Sequence, residues 1–357
     1  MEDESGRMKR LQVFDIPWHI GAQAELFKLS EHYPIDFHIL ENNVRRWKRN
    51  QHRKLPEHVK VVQYYEPGKY DLAILRLDQQ CVNPDIGKGQ LYRDLNEVIT
   101  DIPKIVWNHG TPDYTEMYEE DLVINGGFVL TKDGDKWIDG MKQLVGDNYM
   151  IVNSYKAVER WGFGYPIIHG MDADEWPVLP KELRVSMSLS PGGLDHYYNR
   201  RLISDLKQLL TEQTGYDLMH MNVNYEPEDG QDYKEFLSRS LIQVYPFLDS
   251  PMPRARTEAM LMGSCVLSSK HHNADEFIEN GVNGFIIPDN PQSYVETISQ
   301  LINYHYDDCV QIGLRGRETA LKYFNGERYR KDVWELLQAV ANGKKPEWNG
   351  SKLWDKK

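Results

Sequence analysis

Residues 254–290 read RARTEAMLMGSCVLSSKHHNADEFIENGVNGFIIPDN, and the side chains at the start of this stretch suit a phosphorylated, hydroxyl-bearing ligand. Thr257 and Glu258 lie near the start of a predicted helix, just after the apolar run LIQVYPF (241–247). A carboxylate there accepts hydrogen bonds from two vicinal hydroxyls, as on a ribose. The helix start adds backbone N–H groups and partial positive charge, which favour a diphosphate. Arg254 and Arg256 stand just upstream and bring charge-assisted bonds to phosphate. Taken alone, Glu258 is better explained as an acid set against the helix dipole beside solvated arginines. The stretch as a whole points to a ligand.

Other residues carry weaker chemistry. WNHGTPD (107–113) puts His109 at the end of a predicted strand, beside a glycine, where it can face a cleft or satisfy local loop hydrogen bonds. His271 and His272 are adjacent, a spacing that rarely chelates one ion, and read as loop residues near the phosphates. Two Asp-x-Asp triplets, Asp133–Asp135 and Asp172–Asp174, have the spacing that holds a divalent ion on some sugar nucleotides. Their positions, one in a polar loop and one in a turn between domains, argue against that, and no metal site is expected. Residues 44–60 hold Arg45, Arg46, Lys48, Arg49, Arg53, Lys54 and Lys60 against Glu57 alone, a net +6 that leaves −18 for the remainder of a chain at −12. Trp47 lies among these cations, and an aromatic in that setting suits a membrane interface or a nucleic-acid base.

The elements that must position these residues alternate. LQVFDI (11–16), IDFHIL (35–40), VKVVQY (59–64), YDLAILRL (70–77), PKIVWNH (103–109) and NYMIVNS (148–154) are β-branched or apolar runs separated by helical patterns. That alternation predicts a parallel sheet covered on both faces. MDADEWPVLPKE (171–182) interrupts it with two prolines and four acids, as an interdomain linker does. The alternation then restarts with predicted strands at 182–189, 216–223, 241–247 and 264–269 and a last one at GFIIP. Predicted helices cover 199–213, 233–240, 256–263 ended by Gly263, ADEFIENG ended by Gly281, and most of 291–343. The expected fold is α/β, with two Rossmann-like doubly wound domains. Ligands of such sheets bind at the C-terminal strand ends, here in an interdomain cleft.

Composition agrees with that architecture and excludes others. The chain has 357 residues, 40% hydrophobic and 27% charged, which suits two globular domains and excludes a disordered tail protein. No apolar run approaches the length of a membrane-spanning helix, and the acidic start MEDESGRMKR has no signal-peptide core. Cys81, Cys265 and Cys309, odd in number and scattered, are expected as buried thiols in a reducing compartment. The expected location is the cytoplasm, peripheral to the membrane if the 44–60 cations meet a lipid surface, or the host cytoplasm if the chain is viral. So acidic a chain does not bind polyanions over its whole surface.

The 254–290 stretch resembles the C-terminal domain of glycosyltransferase family 4, a group of retaining enzymes of the GT-B fold. The matching residues are Glu258-Ala259-Met260-Leu261-Met262-Gly263, the strand CVLSS, Asp275-Glu276-Phe277-Ile278, Gly281-Val282-Asn283-Gly284 and FIIP, in order and spacing over roughly 35 residues. Weaker echoes are HIGAQAE (19–25), whose Gly21 falls where the family's backbone approaches donor phosphate, the turn His169-Gly170-Met171-Asp172 closing the N-terminal domain, and FNGERYRKDVWELLQAV as the helix that returns to it. The resemblance implies an acceptor-side domain over 1–175, a nucleotide-sugar domain over 183–325, and a C-terminal helix and tail over 326–357.

The resemblance also implies roles. Glu258 holds the nucleotide ribose, and His109 contacts the donor sugar and stabilises charge as the bond to the anomeric carbon breaks. The diphosphate falls to the Gly21 loop, Arg254 and Arg256, with His196, Arg200 and Arg201 as candidates in the loop SPGGLDHYYNRR. The family's first glutamate is replaced by Ser250 next to Asp249, so Asp249 takes its place or the sugar is held differently. No metal or bound cofactor is implied, since helix dipoles and arginines stabilise the leaving diphosphate. The donor is a nucleoside-diphosphate sugar, on family grounds a UDP-sugar carrying a hexose or pentose. The acceptor is a lipid-linked or envelope glycan, with Arg45, Arg46, Trp47, Lys48 and Arg49 against an anionic surface. The alternatives are a phage-type transferase acting on hydroxymethylated DNA and, in another class, a non-catalytic sugar-nucleotide-binding protein. A phosphorylase is disfavoured for want of a lysine signature for pyridoxal phosphate.

Overall fold

A computed structural model describes residues 9–42, 44–49, 53–84, 87–112, 122–124, 128–130, 134–188, 200–221, 232–247, 252–270 and 273–355; for 46, 48, 49, 122–124, 128–130, 134–136, 200 and 304 it describes the backbone alone. The chain divides into two compact units, Met1–Gly170 with Gly326–Ser351, and Met171–Asn325 with Lys352–Lys357.

The strands of the first unit are β1 (Leu11–Asp15), β2 (Ile35–Leu40), β3 (Lys60–Val62), β4 (Leu72–Leu77), β5 (Lys104–Asn108), a small antiparallel pair β6 (Leu122–Ile124) and β7 (Phe128–Leu130), β8 (Tyr149–Val152) and β9 (Tyr165–Pro166). Its helices are α1 (Ile20–Phe27), α2 (Leu29–His32), α3 (Gln90–Val98), α4 (Gly134–Val145) and α5 (Tyr155–Trp161). The second unit has strands β10 (Glu182–Ser188), β11 (Leu218–Met221), β12 (Ser240–Tyr245), β13 (Cys265–Ser268) and β14 (Phe285–Ile286). Its helices are α6 (Arg200–Thr214), α7 (Tyr233–Arg239), α8 (Arg254–Leu261), α9 (Ala274–Phe277), α10 (Pro291–Tyr304) and α11 (Tyr306–Tyr323). The last helix, α12 (Gly326–Ala341), belongs to the first unit.

Both main sheets are parallel, in the order β3-β2-β1-β4-β5-β8-β9 and β11-β10-β12-β13-β14. The period-two alternation of strand side chains divides the first sheet's apolar residues between two cores. Phe14, Ala73, Leu75, Val106 and Met150 lie in one, which reaches α3, α4 and α5. Val13, Leu72, Ile74, Ile105 and Ile151 lie in the other, which reaches α1 and α12. Val333, Trp334 and Leu337 bring α12 into that second core, and Arg328 donates to the carbonyls of Ile168 (2.8 Å) and His169 (3.0 Å).

Helix ends follow their local chemistry. Ser154 caps α5 by accepting from Ala157 N (3.1 Å), and Gly162 ends it at φ 73°. Asn290 caps α10, whose first residue is Pro291. Gly263, at φ 70°, follows the end of α8 as its residue type requires.

Two expectations are corrected. The 171–182 stretch is part of the second unit and not a linker between the two, and Trp176 and Lys181 fasten it there. Trp176 is buried beneath the Lys234 ammonium, and Lys181 donates to Ser238 O (2.6 Å), Met262 O (2.7 Å) and Ser264 Oγ (3.2 Å). Burial, aided by the Arg317 cation, pulls the Lys181 ammonium down to about 7. The boundary accordingly falls between Gly170 and Met171. The helix read through ADEFIENG stops at Phe277; Gly281 instead sits in a turn and donates to Gly284 O (2.9 Å).

Gly313, inside α11, tests this packing. Replacing a helical glycine by alanine normally stabilises by about 0.5–1 kcal/mol. Here a Cβ would stand 2.3 Å from Gly263 O and 3.0 Å from Cys265 N, backbone atoms that cannot swing aside. Overpacking of that kind costs about 1–3 kcal/mol. Gly313→Ala is therefore expected to lower unfolding free energy in a urea titration, and an increase would refute the close approach of α11 to β13.

Candidate functional site

In the first unit the strand order reverses between β1 and β4, the switch point outside which α/β sheets bind ligands. Asp15 ends β1 and Arg76 lies near the end of β4, both with no exposed side chain. Asp15 pairs with Ile74 across the two strands, so Arg76 is on the same face two residues further along. The pair is bidentate, Nε to Oδ1 at 2.7 Å and Nη2 to Oδ2 at 2.8 Å. Ile16 N (2.9 Å) and Gln23 Nε2 (2.9 Å) also donate to Asp15. Four donors match the four lone-pair directions of a carboxylate, which a charge taken wholly out of water requires. The guanidinium carbon of Arg76 lies 5.0 Å from the centre of the Trp107 ring.

The remaining arm of Arg76 reaches His109. Arg76 Nη1 is 3.3 Å from His109 Nε2, and Asn153 Nδ2 is 3.2 Å from Nδ1. Trp107 Nε1 donates to Asn153 Oδ1 at 2.7 Å, which orients that amide. The rings of Trp18, His19 and Trp107 lie nearly parallel to that of His109, with centroids 6.1–6.4 Å away. At Gly110 a Cβ would stand 2.9 Å from Gln79 N, a backbone atom, so the glycine permits this close approach. Gly21 is buried in the first turn of α1, which His19 caps by accepting from Ala22 N (3.4 Å).

The second unit reverses its strand order between β10 and β12. Ser188, ending β10, is 2.9 Å from the Tyr233 hydroxyl, and Tyr233 donates to Glu258 Oε2 at 2.9 Å. Glu258 is buried on the second turn of α8, so it is fixed by side-chain hydrogen bonding and is more than a partner of the helix dipole. Arg256 is not solvated. It is completely buried, over the Phe277 ring at 5.0 Å and near Ser268 Oγ at 3.4 Å. Burial pulls its guanidinium down to about 9, while Asp275 pulls the other way. Arg254 is half-buried at the first position of α8. Arg201, near the start of α6, is 93% exposed beside Asp205. Arg200 is placed by its backbone at the α6 start, and His196, Asp249, Ser250, His271, His272 and Asp133 lie outside the described residues.

The basic segment forms a 3-10 turn over Val44–Arg49, with Arg45 exposed. Trp47 corrects the surface reading: it is 3% exposed and stacks on Phe27 with centroids 5.9 Å apart, anchoring the turn to the core. Among the described residues no three His, Cys, Asp or Glu side chains gather as a metal site would, and no helix is long and apolar enough to cross a membrane.

Asp15, Arg76, Asn153, Ser188 and Tyr233 were not singled out from sequence. The available signal was a charge inside otherwise apolar strands, Arg76 in LAILRL and Asp15 closing LQVFD.

Two outcomes follow. Asp15→Ala leaves a buried guanidinium unanswered and is expected to cost about 3–5 kcal/mol, whereas combining Asp15→Leu with Arg76→Met is expected to cost less than either single change. A denaturant-based double-mutant cycle measures both, and simple additivity would contradict the pairing. Tyr233 is held well above its ordinary range, first by burial and then by the Glu258 charge. Unfolded tyrosine ionises near pH ~10 while the folded residue keeps its proton, so stability falls as pH rises beyond that point. Tyr233→Phe is expected to flatten part of this fall in melts recorded at increasing alkaline pH; an unchanged slope would count against the burial of this hydroxyl.

The Glycosyl transferases group 1 family profile matches residues 205–304. The sequence is 28% identical over 90 residues to Salmonella typhimurium WcaL, named as a colanic acid biosynthesis glycosyltransferase, covering 25% of this chain and 22% of that protein. It is 26% identical over 125 residues to the amylovoran biosynthesis glycosyltransferase AmsK of Erwinia amylovora, covering 33% of this chain and 30% of that one. The chain thus matches less than a third of either relative's length. Among solved structures, Anabaena HepE in complex with UDP-glucose aligns with a TM-score of 0.63 and 14% identity, over 92% of this chain and 100% of that one. The likeness to HepE is one of fold: this chain is built as a GT-B protein, and its second unit carries a segment similar to Glycosyl transferases group 1.

Proposed function

We propose that the protein is a glycosyltransferase of the family 4 type that moves a sugar from a nucleoside-diphosphate donor to an acceptor hydroxyl with retention of configuration. The observation that carries this reading is Glu258, buried and hydrogen-bonded to Tyr233 at the second unit's switch point, within the segment matched by the family profile. In this reading Glu258 receives the ribose hydroxyls. The N-terminus of α8 and Arg254 face the diphosphate, with Arg200 or Arg201 contributing from α6; Gly21 is kept as a backbone position suited to donor phosphate. The desolvated Arg256 acts from within, adding positive potential beneath the helix start.

His109 lies beside the donor sugar, and the leaving phosphate helps to deprotonate the acceptor, so no protein side chain is assigned as general base. A UDP-sugar is the favoured donor, in keeping with the UDP-glucose held by HepE. An envelope or lipid-linked glycan is the favoured acceptor, in keeping with the colanic acid and amylovoran pathways for which WcaL and AmsK are named. The exposed cations of the 44–60 segment, Arg45 and Lys54 among them, suit an anionic surface without help from Trp47. Peripheral association with the membrane on the cytoplasmic side goes with that acceptor.

The test is release of nucleoside diphosphate from a panel of UDP-, GDP- and ADP-sugars, with and without lipid-linked glycans. Turnover with one donor class is expected, together with nucleotide-induced thermal stabilisation that Glu258→Ala removes. Stabilisation without turnover under any acceptor would favour a sugar-nucleotide-binding protein. No stabilisation at all would overturn the role given to Glu258.

A further inference from the structure

The carbonyls of Glu258 to Met262, which end α8, all have donors, and two of the donors are cations. Met262 N donates to Glu258 O at 3.0 Å, Ser264 N to Ala259 O at 3.1 Å and Gly263 N to Met260 O at 2.9 Å. Side chains serve the next two: Arg317 Nη1 donates to Leu261 O, and Lys181 Nζ to Met262 O at 2.7 Å. Positive charge there complements the negative pole of the helix. The other two N–H groups of Lys181 go to Ser238 O near the end of α7 (2.6 Å) and Ser264 Oγ at the entry to β13 (3.2 Å), so its ammonium is fully used. The titratable and charged groups packed around it are Arg317, Cys309 and Tyr306 of α11, Cys265 of β13 and Glu258 one turn up α8. On α7, Arg239 pairs with Glu235 at 3.0 Å and with Glu182 at 3.5 Å, so among the described residues no carboxylate is paired with Lys181.

We propose that Lys181 is a positioning residue for the donor site: its ammonium ties the C-terminal end of α8 to α7 and β13, which sets the helix that presents Arg254 and Glu258 to the nucleotide, and the tie slackens when the proton leaves. This inference rests on the glycosyltransferase reading for its ligand. Of the two cations at the helix end, arginine keeps its charge at any working pH, so Lys181 is the one that can release. A neutral amine has two N–H donors, which leaves one of the three oxygens unanswered and removes the charge from the helix pole. Burial, with the Arg317 cation, brings that event down to about 7. An unfolded lysine ionises near its ordinary 10.5, so between these values the folded chain binds fewer protons and stability rises with pH. A loss of nucleotide affinity across this window is therefore not a loss of fold through Lys181.

The test is calorimetric titration of the protein with UDP, GDP and ADP at pH ~6 and pH ~9. Wild-type affinity for the nucleotide that binds is expected to fall about tenfold at the higher pH. Lys181→Met keeps an unbranched stem without charge, and Lys181→Gln keeps N–H donors without charge; both are expected to bind at the weaker level at either pH. Ionisation of the nucleotide phosphate is common to all three proteins and cancels in the comparison. Coupling is reciprocal, so saturating nucleotide is expected to raise the Lys181 titration midpoint by about one pH unit. That midpoint is read at lysine Cε by 1H–13C correlation on the labelled protein and assigned with Lys181→Gln. Parallel pH profiles for wild type and both variants, or a midpoint that nucleotide leaves in place, would overturn the proposal. The wild-type measurements with and without nucleotide need no substitution, so a variant that folds poorly does not remove the test. Binding without the pH effect strikes only the role of Lys181, whereas no binding of any of the three nucleotides at either pH overturns the glycosyltransferase reading and this proposal with it.

Discussion

A guanidinium with no exposed surface must be answered on the spot, and in the first unit the answer is the Asp15 carboxylate. Much of the surrounding geometry follows from that demand. The carboxylate needs four donors, which ties Ile16 N and the Gln23 side chain to it and so sets the path from β1 into α1. Gln23 also accepts from Trp18 N at 2.9 Å, placing the aromatic ring that lies parallel to His109. The guanidinium needs a face to rest on, supplied by Trp107, and an outlet for its last arm, supplied by His109. A pair of charges that contributes little net stability thereby determines where the polar groups of the switch point can stand.

The second unit reaches a comparable order by other means. Its switch point carries a neutral hydroxyl relay, Ser188 to Tyr233 to Glu258, ending on a buried carboxylate. The polar groups behind it hold the base of the sheet. Lys181 gathers oxygens from the ends of α7 and α8 and from the entry to β13, and Gly313 lets α11 approach the same turn at backbone distance. Both contacts meet the chain just after α8, the helix that carries Arg254, Arg256 and Glu258.

The alternation of elements was legible because it is a local property. Apolar runs such as LAILRL and SLIQVY are buried throughout, as central parallel strands must be, and helical patterns between them needed only their own caps. Within the candidate site, Glu258 was singled out through a linear motif, and His109 through its place after a strand. Trp47 was misread because composition around a residue does not say which way its side chain turns; its cationic neighbours are a surface feature, while its ring belongs to the core with Phe27. The 171–182 stretch was misread for a similar reason, since prolines and acids mark a break in regular structure and Trp176 shows that irregular chain can still be buried.

The sequence by itself determined the fold class, the strands that build each sheet and the segment that carries the nucleotide-type motif, because periodicity, caps and short motifs are written over neighbouring residues. The tertiary structure alone decided the polar constellations. Asp15 and Arg76 are separated by 61 positions, Arg76 and His109 by 33, and Tyr233 and Glu258 by 25. Their meeting depends on strand order, register and the face each residue occupies, and these are settled only when the whole sheet has chosen its neighbours.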